Sequence, residues 1–121
     1  MRIERGQYSQ DKDWYVGPWN SELPVSIGYA QVGVDEPHQH TRIREVYLVA
    51  RGSGRVRVEQ ETVHLVAGDV LIVEPGEAHT FLEHSRDYFH FVLHVPGLAG
   101  NEARDEKLPV ERSRLEDETL W

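Results

Sequence analysis

From Pro24 to Val95 the apolar residues recur at every second position, not at the roughly 3.6-residue spacing of a helix. The runs are "PVSIGYAQV", "EVYLVA", "GRVRVEQ", "TVHLVA", "DVLIVE", "HTFLE" and "YFHFVLHV", rich in Val, Ile, Leu, Phe and Tyr. Gly, Pro, Asp or Glu residues interrupt them roughly every eight to twelve positions, as turns do between short strands. In "GRVRVEQ" the alternation places Val56 and Val58 inward and Arg55 and Arg57 in water. No amphipathic helical stretch intervenes. The pattern predicts an all-β domain, an antiparallel sandwich or barrel, over residues 24–97.

The flanks break the pattern. Residues 1–23 form an N-terminal arm whose "DWYVGPW" crowds Trp14, Tyr15 and Trp19 into a polar stretch. It can supply an extra strand, a lid or a partner contact. Barrels of short strands leave edges, and these rings have no evident partner in the predicted core. A homodimer is therefore expected, with the arm packed on or paired with the neighbouring barrel. Residues 98–121 are dominated by charge and read as a solvated tail. The alternative is a short helix docked through Leu115, Leu120 and Trp121.

Candidate chemistry begins in "EPHQHTRIREVYLVARGSG". His38 and His40 share a parity, so on one strand both rings face the same side. Glu45 has the opposite parity. A turn or bulge within "TRIR" resets it, and Glu45 then opens the next strand toward the same cavity, with Tyr47 and Val49 on its side. A carboxylate inside a barrel is costly unless paired. A divalent metal held by both imidazoles and Glu45 removes that cost. "AGDVLIVEPGEAHTF" supplies a third imidazole, His79, with Phe81 on its side of the strand. Three imidazoles and a carboxylate suit Fe(II), Mn(II), Ni(II), Cu(II) or Zn(II), and the chain has no cysteine. Four protein ligands on an octahedral ion leave two positions for water, dioxygen or substrate.

The remaining histidines divide. His64, His84 and His94 read as surface or satisfied core positions. In "YFHFVLHV" the residues Tyr88, His90, Val92 and His94 share one face, and Phe89, Phe91, Leu93 and Val95 the other. If the first face looks inward, His90 is a pocket acid or base; if the second does, it lies on the outside. Arg42 and Arg44, between two candidate ligands, can grip a carboxylate or phosphate or serve as ordinary loop charges. Arg42, Tyr47 and Phe81 are the candidate substrate-pocket residues.

These residues resemble the two motifs of the cupins, the small double-stranded β-helix proteins. Gly33, His38, His40, Glu45 and Gly52 follow the first motif, with four residues rather than five between Gly33 and His38. Gly68, Gly76 and His79 follow the second, with Glu74 in place of its first proline and Glu83 in place of its asparagine. The resemblance spans residues 25–95. It implies a jelly-roll-like barrel of two antiparallel sheets and one divalent transition metal per chain, held by His38, His40, Glu45 and His79. It does not imply a reaction, since cupins include dioxygenases, isomerases, epimerases, decarboxylases and non-enzymatic binders. The expected function is metal-dependent chemistry on a small organic molecule, with Glu45 and His90 as catalytic candidates. An oxygen-using, dioxygenase-type reaction comes first and an isomerisation second. The alternative is a non-catalytic module binding a small ligand or sugar.

Composition narrows the partners. At 121 residues the chain is one domain, and its net charge of -8 argues against nucleic acid, whose phosphates call for a basic face. "MRIERGQYSQ" lacks the apolar core of a secretion signal, and no stretch is apolar for long enough to span a bilayer. A cytoplasmic protein without a membrane partner is expected.

Overall fold

The computed structural model describes residues 1–32 and 36–116. Its strands are β1 (Lys12–Val16), β2 (Ser26–Ala30), β3 (His38–His40), β4 (Arg44–Arg51), β5 (Ser53–Val58), β6 (Glu61–Val66), β7 (Val70–Val73), β8 (His79–His84), β9 (Phe89–Val95) and β10 (Lys107–Pro109). A short helix, α1 (Gly100–Glu106), precedes β10, and a single 3-10 turn (Arg112–Arg114) follows it. The strands form two five-stranded sheets, ordered β1-β2-β9-β4-β7 and β10-β3-β8-β5-β6, and every pairing is antiparallel. This is the two-sheet barrel that the period-two pattern predicts.

Between the sheets Tyr47, Val49, Val56, Leu65, Val73, Phe81 and Tyr88 form one buried cluster, with Val58, Val63, Leu71 and Val92 packed against it. Each such side chain contributes roughly 1.5–3 kcal/mol by leaving water. The chain passes from β4 to β5 through Gly52, at φ 76°. A Cβ there would stand 2.8 Å from the Tyr88 Cα, so both the dihedral and the close approach call for glycine.

Three expectations change. Arg57 points away from the core, as its parity demands, yet it is 2% exposed. Its Nε donates to the Leu115 carbonyl at 2.8 Å and the Glu59 carbonyl at 2.9 Å, and Nη1 donates to Thr62 Oγ1 at 3.0 Å. What covers it is the segment expected to be a solvated tail. Through residue 116 that segment is docked: β10 pairs with β3, and Leu115 is fully buried. Arg114 clamps it, donating to Glu59 at 2.9 Å and Gln39 at 2.8 Å. Two of its charges, Glu106 and Arg114, are partnered across the barrel while most others stay exposed, which composition does not reveal. Leu120 and Trp121 lie outside the described residues, as does Gly33.

The third change concerns the aromatic arm. Residues 12–16 add an edge strand to the chain's own sheet, against β2. The Tyr15 ring lies 5.3 Å from Tyr29 and the Trp14 ring 4.7 Å from His94. Tyr15 and Trp14 thus find ring partners within the chain, while Trp19 stays about half exposed. Among the described residues no helix is long and apolar enough to cross a membrane.

Candidate metal centre

β3 and β8 are neighbours, with His38 directly opposite His79. His38 and His40 are buried on one face of β3 while Gln39 between them is half-buried, as period two requires. At residues 41–43 the chain crosses to the other sheet, anchored by the buried Ile43. Glu45 then enters β4 facing the imidazoles across the barrel. The parity conflict between His40 and Glu45 is resolved by this change of sheet. The four side chains are buried and their ligand atoms lie within 4.8 Å of one another.

The outer edge of each ring is occupied. His38 Nδ1 lies 2.8 Å from the Glu36 carbonyl, and His79 Nδ1 lies 3.0 Å from the Glu77 carbonyl. His40 Nδ1 meets the buried carboxylate of Glu106. Three Nδ1–H donors directed outward leave three Nε2 lone pairs directed inward, the tautomer that metal ligation needs. Inside, Glu45 Oε1 is 2.7 Å from His40 Nε2, and Glu45 Oε2 is 3.2 Å from His79 Nε2. His40 Nε2 is sealed from solvent and out of line for a hydrogen bond despite that short distance. A buried lone pair beside a carboxylate oxygen is unfavourable unless a proton or cation lies between them. Donor set, tautomers and orphaned nitrogen all fit a divalent metal ion.

Without an ion the cluster balances its own charge. Burial pulls the His40 pKa down, but the carboxylates of Glu45 and Glu106 outweigh it and the net shift is upward. Burial pushes Glu45 up, but His40, His79 and His94 outweigh it and hold the carboxyl well below the usual range.

His94, expected among surface or satisfied core histidines, belongs to the site. It stands directly opposite Glu45 across β9 and β4, and its Nε2 lies 2.8 Å from Glu45 Oε1. It lines a cavity of about 900 Å³ that opens beside the cluster. The signal in the sequence was its shared face with His90; the partner came only with the pairing of strands. Glu106 was missed as well, one carboxylate in a charge-rich segment.

The cavity also takes His90, 3% exposed, between Tyr47 at 4.9 Å and Phe81 at 5.4 Å. The Tyr88 hydroxyl lies 2.5 Å from His90 Nδ1. Burial raises the Tyr88 pKa, and burial lowers that of His90 to about 4. At neutral pH the phenol keeps its proton and donates it to Nδ1, so the neutral imidazole carries its hydrogen on Nε2. The opposite face of β9 points outward, where Phe89 stacks on Tyr29 at 5.5 Å.

Of the candidate pocket residues, Tyr47 and Phe81 line the cavity, and the Tyr47 hydroxyl donates to Glu45. Arg42 does not. It projects into solvent 3.8 Å from Glu102, because Ile43 takes the inward position of the turn. Arg44 likewise pairs outside, with Glu74 at 2.7 Å. His64 is exposed, and His84 is half-buried with Nδ1 2.7 Å from the Ser85 carbonyl. Trp14 and Trp19, both partly exposed, contribute indole rings to the cavity wall.

Residues 21–119 match the family model for the AraC-like ligand binding domain, and the chain belongs to that family. Comparison with curated protein sequences gives no match. Among solved structures the chain is similar to KdgF from Halomonas sp. (TM-score 0.61, 21% identity, 72% of this chain and 80% of that one). It is similar to a Streptomyces Pac13 variant with uridine (TM-score 0.65, 16% identity, 90% of this chain and 84% of that one); Pac13 is described as a nucleoside dehydratase. A third is a Klebsiella pneumoniae protein with a double-stranded β-helix domain (TM-score 0.55, 23% identity, 73% of this chain and 74% of that one). At these identities the likeness speaks for the fold. The chain is a cupin-type double-stranded β-helix.

Proposed function

We propose that this AraC-like ligand-binding cupin is a metal-dependent enzyme that moves a proton on a small, polar, ring-shaped organic molecule, in an isomerisation or a dehydration. The observation that carries the proposal is the pair of imidazoles on β9, His90 and His94, lining one cavity beside the four-residue cluster. A bound divalent ion would supply Lewis-acid polarisation of a substrate oxygen.

The protein's own groups divide the remaining work. His94 holds Nε2–H against Glu45, and its Nδ1 has no partner among the described residues, so it accepts a proton from the carbon beside a carbonyl. The electron pair freed from that C–H bond moves toward the carbonyl oxygen. Farther along the same cavity His90 offers a neutral Nε2–H donor to another polar group of the bound molecule, because a pKa near 4 makes it a poor base. His94 returns the proton to the neighbouring carbon in an isomerisation, or to a β-hydroxyl that leaves as water in a dehydration. The two indoles offer flat apolar faces to a ring. The cavity volume is at the upper end of the range for small-molecule sites. The uridine complex and dehydratase description of a structural relative point the same way. The oxygen-using reaction ranked first on sequence rests on ligand count alone.

The test is proton exchange in D2O. The protein would be loaded with Ni(II), Fe(II), Mn(II) or Zn(II), offered nucleosides, sugar acids and β-hydroxy carbonyl compounds, and followed by NMR. Wild type is expected to incorporate deuterium beside the carbonyl, and His94→Gln to lose roughly 10²–10⁴-fold in rate. Oxygen uptake without exchange would overturn the reading. Tight binding without turnover would favour a ligand-binding module, the alternative that the family description supports.

A further inference from the structure

The C-terminal segment carries exposed carboxylates at Glu102, Asp105, Glu111 and Glu116, but Glu106 is 4% exposed. Burying a carboxylate costs several kcal/mol unless its oxygens are satisfied. Those of Glu106 are satisfied by one short stretch of chain. Oε2 accepts from His40 Nδ1, and Oε1 accepts from the Ile43 N–H at 3.0 Å and the Arg42 N–H at 3.4 Å. The Glu106 carbonyl takes the Thr41 N–H at 2.9 Å. A single residue therefore binds the His40 ring and three successive N–H groups of the crossing that leads from His40 to Glu45. Its place is set by β10, where the next residue, Lys107, pairs with His40.

We infer that Glu106 is a positioning residue of the metal centre, fixing the His40 ring and the separation of two ligands that arrive on different sheets. The inference rests on the metal-centre reading of the four-residue cluster. His38 and His79 lean on neutral carbonyls, and His40 alone leans on a carboxylate. An ionised acceptor strengthens the donation of the opposite ring nitrogen to a metal. It also completes the charge, since the carboxylates of Glu45 and Glu106 together offset the two charges of a divalent cation. The segment also supplies cavity wall through Leu98, Ala103 and Arg104, so it serves the ion and the bound molecule at once.

The test measures the affinity of the full chain for Zn(II) and Ni(II) by competition with a chromophoric chelator, together with the visible spectrum of the Co(II) form. Glu106→Gln keeps the shape but removes the charge and sets an amide N–H against either the ring or the Ile43 N–H. It is expected to bind about 10–100-fold more weakly, with a shifted Co(II) band. Glu106→Asp, which keeps the charge and shortens the reach, should fall between wild type and Glu106→Gln, and it carries the test if the glutamine variant does not fold. Leu115→Ala loosens the same segment without touching His40, and should lower the melting temperature while leaving affinity within about twofold of wild type. Wild-type affinity and spectrum in Glu106→Gln would overturn the inference. So would an equal loss of affinity in Leu115→Ala, which would mean general loosening. Absence of metal binding by wild type would sink the metal-centre reading itself, an outcome distinct from both.

Discussion

On β4 the inward positions run Glu45, Tyr47, Val49, and on β9 they run His94, Val92, His90, so the same two strands carry the polar cluster at one end and close-packed core toward the other. Around Val49, with Val56, Leu65 and Tyr88, burial is favourable through area removed from water, and neighbours are interchangeable in kind. Around Glu45 the carboxylate oxygens have named partners: His40, His79, His94 and the Tyr47 hydroxyl. There, removing one partner strands another, while the net worth of each pair to stability is small. The apolar end holds the barrel together, and the polar end keeps inward-facing lone pairs that a barrel does not need for its own stability. Loss at the first should appear as unfolding, loss at the second as failure to bind.

The largest effect is expected at the apolar end. Leu65→Ala should cost about 2–5 kcal/mol in chemical denaturation, with Zn(II) affinity unchanged in the folded protein. A loss of affinity as large as the loss of stability would show that the two ends are one cooperative unit. At the polar end His79→Ala should weaken Zn(II) binding by more than about 100-fold, beyond the effect usual for outer partners of a ligand. The metal-free melting temperature should shift by only a few degrees, and a collapse of the metal-free fold would erase the distinction.

A smaller effect concerns His90, where the two ends meet. It is faced by Tyr47 from β4, Phe81 from β8 and Tyr88 from the turn just before its own strand, with the Glu45 charge nearby. Unfolded, it takes a proton near pH 6.5; folded, only near pH 4. Below about pH 6.5 the unfolded state therefore binds more protons. The contribution is fully present above that pH and is lost as pH falls toward 4, on the order of 3 kcal/mol in all. His90→Gln should flatten this part of the metal-free stability profile between pH 7 and pH 4. An unchanged profile would mean that the ring is not sealed from water.

The sequence alone determined the class of fold and the kinds of ligand, because both rest on short-range regularities. Alternation along one strand is enough to predict β-structure. His38, His40, Glu45 and His79 are unusual enough as a set to mark a candidate metal centre before any strand is paired. What alternation cannot specify is which strand lies beside which, and there the tertiary structure decided. Glu45 faces the imidazoles because residues 41–43 change sheets, a step that parity registers only as a conflict. His94 meets Glu45 because β9 lies beside β4, 49 residues along the chain. Arg57 is buried and Glu106 reaches His40, 66 residues away, because the last segment folds back over the barrel. Charge in that segment reads as solvation when only composition is known. Each of these contacts is a long-range pairing of polar groups, and their energy depends on geometry that local sequence does not encode.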